Sequence, residues 1–160
     1  IEAGQTISQP YTVAYQTELL QIQKGDKVLE VGTGSGYQAA VLKVLGADVY
    51  TIETKKALYT KSKALFIKLG LKIHSFYGDG SKGLPEHAPF NKILLTAAAP
   101  KLTNVLTQQL KIGGRLVAPV GDKTVQNMIL IERTGENEYK KTQFGRFTFV
   151  PLTGTHGWTD

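Results

Sequence analysis

The chain contains no cysteine, one methionine and one tryptophan. Without cysteine there is no disulfide framework, no zinc ribbon and no thiol nucleophile. The compartment stays open on that count, because cysteine-free chains occur in both reducing and oxidising surroundings. No apolar run approaches the ~18 to 20 residues of a membrane-spanning helix, so no membrane partner is expected. The three histidines, His74, His87 and His156, are scattered without ligand spacing, and no metal site is expected.

What is present is ordinary in bulk and unusual in detail. A length of 160 residues predicts one domain spanning 1–160, and a domain of this size buries roughly two thirds of the surface its unfolded chain exposes. Seventeen glycines point to several tight loops, since glycine serves where backbone turns sharply or approaches a ligand. The net charge is +6, which suits either solubility or an anionic partner. Much of the excess lies in Lys55–Leu69, with Lys55, Lys56, Lys61, Lys63 and Lys68. Leu58, Leu65 and Leu69 fall at helical spacing and are expected to face a sheet, which leaves the lysines on a solvated outer face. The stretch lacks interleaved arginines and outward aromatics, so no nucleic-acid partner is expected.

Strand-like and helix-like runs alternate. Strands are predicted at Lys27–Glu30, Asp48–Glu53, Lys72–Tyr77, Lys92–Thr96 and Arg115–Val120. Helices are predicted at Tyr37–Leu45 and Lys55–Leu69, each stopped by a glycine, and at Lys101–Lys111. This order predicts an α/β fold, a doubly wound, Rossmann-like sheet, mostly parallel. Met128–Arg133 and Phe144–Val150 flank the turn residues Gly135, Glu136 and Asn137, which predicts a C-terminal antiparallel hairpin.

The most informative run is LEVGTGSGYQAA, Leu29–Ala40, between a strand and a helix. Gly32, Gly34 and Gly36 give the spacing G-x-G-x-G, and Tyr37 stands where a dinucleotide site has its last glycine, which disfavours a nicotinamide enzyme. Backbone can pass close beneath a ligand here, with Thr33 and Ser35 between the glycines and free N–H groups at the new helix. Glu30 precedes the loop and is awkward beside a pyrophosphate. Glu53 ends the next strand 21 residues beyond Gly32, where a carboxylate accepts both hydroxyls of a ribose. The acid pair describes a nucleoside without phosphates and with positive charge, which S-adenosylmethionine fits. After the third strand, YGDG supplies Asp79 for an adenine amino group and Gly80 for room; a plain Asp-Gly turn is the plainer alternative.

These runs resemble the class I S-adenosylmethionine-dependent methyltransferases. More narrowly, GQTISQPY (Gly4–Tyr11), VGTGSGYQAA, YGDG, LLTAAAP (Leu94–Pro100), GGRLVAPVG (Gly113–Gly121) and FVPLTG with GW (Phe149–Trp158) resemble the protein-L-isoaspartate (D-aspartate) O-methyltransferase family. The glycine loop is common to many methyltransferases; TISQP with TAAAP and FVPL is specific. The resemblance implies a class I architecture and a cytoplasmic protein-repair enzyme. Its substrates would be isoaspartyl-containing proteins and peptides, methylated on the free carboxylate, with S-adenosyl-L-homocysteine as the product. It implies Ser8 as the active-site serine, and Gly32, Gly34, Gly36, Glu53, Asp79 and Gly80 as cofactor positions; the loop's own residues add Glu30, Thr33 and Ser35 to the expected cofactor set. It implies Thr6, Ile7 and Ser8, faced by Val150, Pro151 and Leu152, as the acceptor site. The family carries a helical segment ahead of TISQP, and three residues precede Gly4 here, so that segment is expected to be missing. An RNA or small-molecule methyltransferase, and a cofactor-binding module without turnover, are the competing readings.

Overall fold

Seven strands join in one sheet. The structure, a computed structural model, describes residues 9–159. The strands are β1 (Lys27–Val31), β2 (Asp48–Glu53), β3 (His74–Tyr77), β4 (Phe90–Leu95), β5 (Leu110–Gly121), β6 (Gln126–Arg133) and β7 (Tyr139–Phe147). Their order in the sheet is β3-β2-β1-β4-β5-β6-β7. The first five run parallel, and β6 and β7 add an antiparallel hairpin at one edge. Val28–Val31 and Ile93–Leu95 are buried without interruption, as central strands covered on both faces require.

The alternation of side chains divides these strands between two cores. Val28, Leu94 and Val117 pack under Leu20 of α1 (Pro10–Leu20), Ala39 and Leu42 of α2 (Tyr37–Val44) and Phe66 of α3 (Lys56–Lys68). Leu29, Val31, Ile93 and Leu95 pack on the other face with Phe90, Leu110, Leu152 and Leu106 of α4 (Asn104–Thr107). Strand order reverses between β1 and β4, and the crevice beyond the carboxyl ends at such a point is where open α/β sheets take ligands.

Several expectations need correction. The helix expected over Lys101–Lys111 is confined to Asn104–Thr107, and β5 already starts at Leu110. Leu110 is fully buried opposite Phe90, so burial on the sheet overrides a helical pattern there. The last strand is Tyr139–Phe147, earlier than Phe144–Val150, because Tyr139 pairs with Arg133 directly across the turn. In α3 the buried stripe is Leu58, Ser62 and Phe66, while Leu65 and Leu69 are exposed; a small Ser62 lets the helix approach the glycine loop. Lys56, Lys61, Lys63 and Lys68 are exposed as expected. Helix α1, with Pro10 in its first turn and only Val13, Gln16 and Leu20 buried, carries too faint an apolar stripe to be read from the sequence. None of the helices among the described residues is long and apolar enough to cross a membrane.

Phe90 is wholly enclosed where β4 meets β5. Phe90→Ala should therefore lower unfolding free energy by about 3 to 5 kcal/mol, read from urea denaturation; a loss within the scatter of surface substitutions would contradict this packing.

Candidate functional site

The cleft opens at the carboxyl ends of β1, β2 and β4. Its floor is the loop Gly32–Ser35, with Ile52, Glu53 and Lys55 on one side, Thr96 and Ala97 on another, and Val150–Thr153 opposite. Gly80, Tyr37, Gln38 and Val13 complete the wall.

The loop needs its glycines for two different reasons. Gly32 (φ 98°) lies so close to β4 that an added Cβ would stand 2.6 Å from Thr96 Oγ1. The Thr96 hydroxyl donates to the carbonyl oxygens of Val31 and Gly32 and ties the loop to the neighbouring strand. Gly36 (φ 85°) starts α2, and an added Cβ would meet the Phe66 ring at 2.7 Å. At Gly34 (φ 54°) an added Cβ would touch nothing. That glycine leaves the cleft side of the loop open.

Glu53 is buried at the end of β2. Its Oε2 accepts from Gly34 N–H at 2.9 Å and its Oε1 from Lys55 N–H at 2.8 Å. Each oxygen keeps a second lone pair, which leaves acceptors for a diol. Bare glycine backbone, a clamped carboxylate and free cleft-side space therefore fit the adenosine portion of S-adenosylmethionine.

Glu30 occupies a different place from the one its sequence position suggests. It lies beneath the loop, fully buried and outside the cleft wall. Its Oε1 lies 2.6 Å from Thr51 Oγ1, within hydrogen-bond distance, and Thr51 Oγ1 lies 2.6 Å from Thr33 Oγ1. Burial pushes its carboxyl from 4.5 up to about 8, against the Thr51 hydrogen bond and with help from the nearby Glu53 charge. A neutral carboxyl cannot serve as the counter-charge to a sulfonium.

Asp79 also differs from expectation. Its Oδ1 accepts from Ser81 N–H at 3.0 Å and Ser81 Oγ at 2.6 Å, and its Oδ2 from Thr155 N–H at 2.9 Å. Ser81 Oγ in turn accepts from His156 N–H at 3.0 Å. Partial burial works to raise the Asp79 pKa, but the hydrogen bonds from Ser81 and Thr155 hold it below its ordinary value. Asp79 thus fastens the C-terminal segment to the turn after β3, and Gly80 is the member of the pair that reaches the cleft.

The TAAAP and FVPL motifs meet in space. Ala98 N–H donates to Val150 C=O and Leu152 N–H to Ala98 C=O, each at 2.7 Å. This bridge, with Pro151 opposite Ala98, sets Val150, Pro151 and Leu152 along the cleft. Thr33, Gly34 and Ser35 line the cleft too. Thr6, Ile7 and Ser8 lie outside the described residues. Thr96, Gln38 and Thr153 were missed by sequence reasoning: a lone Thr or Gln carries no spacing signal. Among the described residues no group of three or more His, Asp or Glu side chains could hold a metal ion.

The raised Glu30 pKa has a definite sign for stability. Folded protein holds this proton up to about pH 8, whereas the unfolded chain releases it near 4.5. Its contribution is thus complete below pH 4.5 and is lost as pH rises towards 8. Glu30→Gln removes the titration. The melting temperature of the variant should gain on that of the parent between these limits, by the equivalent of a few kcal/mol in order of magnitude, and level off above. A constant difference across that range would show that Glu30 ionises normally.

Four similarities bear on this site. The family model for protein-L-isoaspartate(D-aspartate) O-methyltransferase matches residues 1–157. A protein-L-isoaspartate O-methyltransferase of Flavobacterium psychrophilum is 58% identical over 153 residues, covering 95% of this chain and 71% of the relative. Among solved structures, a protein-L-isoaspartate O-methyltransferase superposes with a TM-score of 0.88 at 28% identity, over 98% of this chain and 52% of that one. A Plasmodium falciparum protein assigned as a beta-aspartate methyltransferase, solved with S-adenosyl-L-homocysteine, superposes with a TM-score of 0.79 at 24% identity, over 96% and 78% of the two chains; this last likeness speaks for the fold. The glycine loop, the Glu53 clamp and the bridged TAAAP and FVPL motifs are therefore those of a family member: the chain belongs to the protein-L-isoaspartate(D-aspartate) O-methyltransferases.

Proposed function

We propose that this chain transfers a methyl group from S-adenosylmethionine to the free carboxylate of L-isoaspartyl residues in damaged proteins and peptides, within the cytoplasm. The observation that carries the proposal is the cleft itself. It joins a nucleoside-fitting half, Gly32–Ser35 with Glu53, to a half walled by Ala97 and Val150–Leu152.

The cofactor supplies an activated methyl group on a sulfonium. The protein has to bind it, bring the acceptor into line and exclude water. Glu53 and the loop would hold its ribose. The apolar wall of Ala97, Val150 and Leu152 keeps water from the reacting groups. An acceptor carboxylate is already ionised at neutral pH, so no general base is required. The cleft's carboxylate, Glu53, takes one backbone N–H on each oxygen and keeps its remaining lone pairs for the ribose. A cationic clamp on the acceptor would favour the ground state, because charge cancels as the methyl moves. Ser8, a neutral donor in the TISQP motif, is instead assigned to orient the acceptor, and proximity and alignment supply most of the acceleration.

Two outcomes follow. With labelled cofactor, an isoaspartyl peptide should accept methyl groups while its aspartyl twin does not; equal labelling of the two would overturn the repair reading. Glu53→Ala should weaken S-adenosylhomocysteine binding by about tenfold or more, the loss of hydrogen bonds to a charged acceptor, as read by calorimetry; unchanged affinity would place the ribose elsewhere.

A further inference from the structure

Glu30 is a buried acid that the proposed chemistry does not use. It sits in mid-sheet, with Thr51 beside it on β2 and Leu94 on β4. The helices over this face turn Gln16, Leu20, Ala39 and Leu42 inward, none of them charged. Lys92 shares the face by strand alternation, yet its amine is directed to Asp26 at 3.9 Å. The charged group acting on Glu30 is Glu53, of the same sign. Oε2 of Glu30 is buried with no donor. An ionised carboxylate here would have a single hydrogen bond and no counter-ion, a costly arrangement.

The Thr51 hydroxyl touches both Glu30 Oε1 and Thr33 Oγ1 at 2.6 Å, but it has one hydrogen. If Glu30 is ionised, Thr51 must donate to it, Thr33 must donate to Thr51, and Thr33 shows the cleft only lone pairs. If Oε1 carries a proton, each hydroxyl turns round: Glu30 donates to Thr51 and Thr51 to Thr33. The Thr33 hydrogen is then free, and Thr33 lines the cleft.

We propose that Glu30 is a positioning residue for the cofactor: its proton sets the direction of the Glu30–Thr51–Thr33 chain, so that Thr33 offers a hydroxyl hydrogen to an acceptor atom of the bound cofactor. Loss of that proton to solvent reverses the chain and withdraws the donor. This rests on the cofactor reading above.

The test is calorimetric titration of S-adenosylhomocysteine into the parent, Glu30→Gln and Thr51→Val, each checked for folding by thermal melting, between about pH 6 and pH 9. The side-chain amide of the first variant keeps a donor towards Thr51 at every pH, and the second variant cuts the chain. With a Glu30 pKa of about 8, the parent's Kd should rise about tenfold more than that of Glu30→Gln between pH 7 and pH 9. Thr51→Val should lack the extra rise. Infrared difference spectra of the free parent against Glu30→Gln should show a protonated carboxyl at pH 7. Parallel pH profiles, or no such carboxyl band, would overturn the inference while leaving cofactor binding intact. If none of the three proteins binds S-adenosylhomocysteine, the cofactor reading falls and the inference falls with it.

Discussion

The close passage of the glycine loop over the strand ends is the constraint on which the rest of this structure depends. Gly32 leaves no room for a Cβ beside Thr96, and Gly36 leaves none beside Phe66. Those two contacts join β1 to β4 and α2 to α3. Glu53 adds a third tie, from β2 to the loop's own N–H at Gly34. Three elements that are far apart in sequence are thereby locked to one short stretch of backbone. The same ties leave the cleft-side surface of that stretch bare, so holding the loop and exposing it to a ligand are one arrangement.

The opposite wall is built by a different device. Residues 150–152 have left the hairpin and run beside Ala97–Ala99, fixed by two short backbone hydrogen bonds to Ala98. Small side chains in TAAAP allow that approach. Asp79 and Ser81 then take the N–H groups of Thr155 and His156, which anchors the chain beyond the wall. The cleft is thus closed by backbone pairing and two polar staples, together with the packing of Leu152 and Val150 into the core below.

Much of this was legible in the sequence, and the exceptions have physical causes. Strand runs such as Lys27–Val31 and Asp48–Glu53 were readable because parallel central strands are apolar on both faces. The edge elements were less so: Tyr139 belongs to a strand through its pairing with Arg133, which no local pattern announces. The glycine spacing and Glu53 located the cleft, since both act through backbone geometry that spacing encodes. The acids at positions 30 and 79 were legible as acids but not as to direction. Whether a carboxylate at a strand end meets ligand or protein depends on Thr51 in one case and Thr155 in the other, both distant in sequence. The wall of Val150–Leu152 was placed by family resemblance alone; its cause, the pairing with Ala98, is a contact between segments far apart in the chain.

The central claim is that a nucleoside cofactor lies over Gly32–Gly36 with its ribose on Glu53, facing the wall at Val150–Leu152. A crystal structure of this chain with S-adenosylhomocysteine tests it most directly. The account predicts both ribose hydroxyls within hydrogen-bond distance of the Glu53 carboxylate and the amino-acid tail over the glycine loop. Ligand density elsewhere, such as the groove between Leu102 and Ile131, with the loop cleft empty, would contradict it.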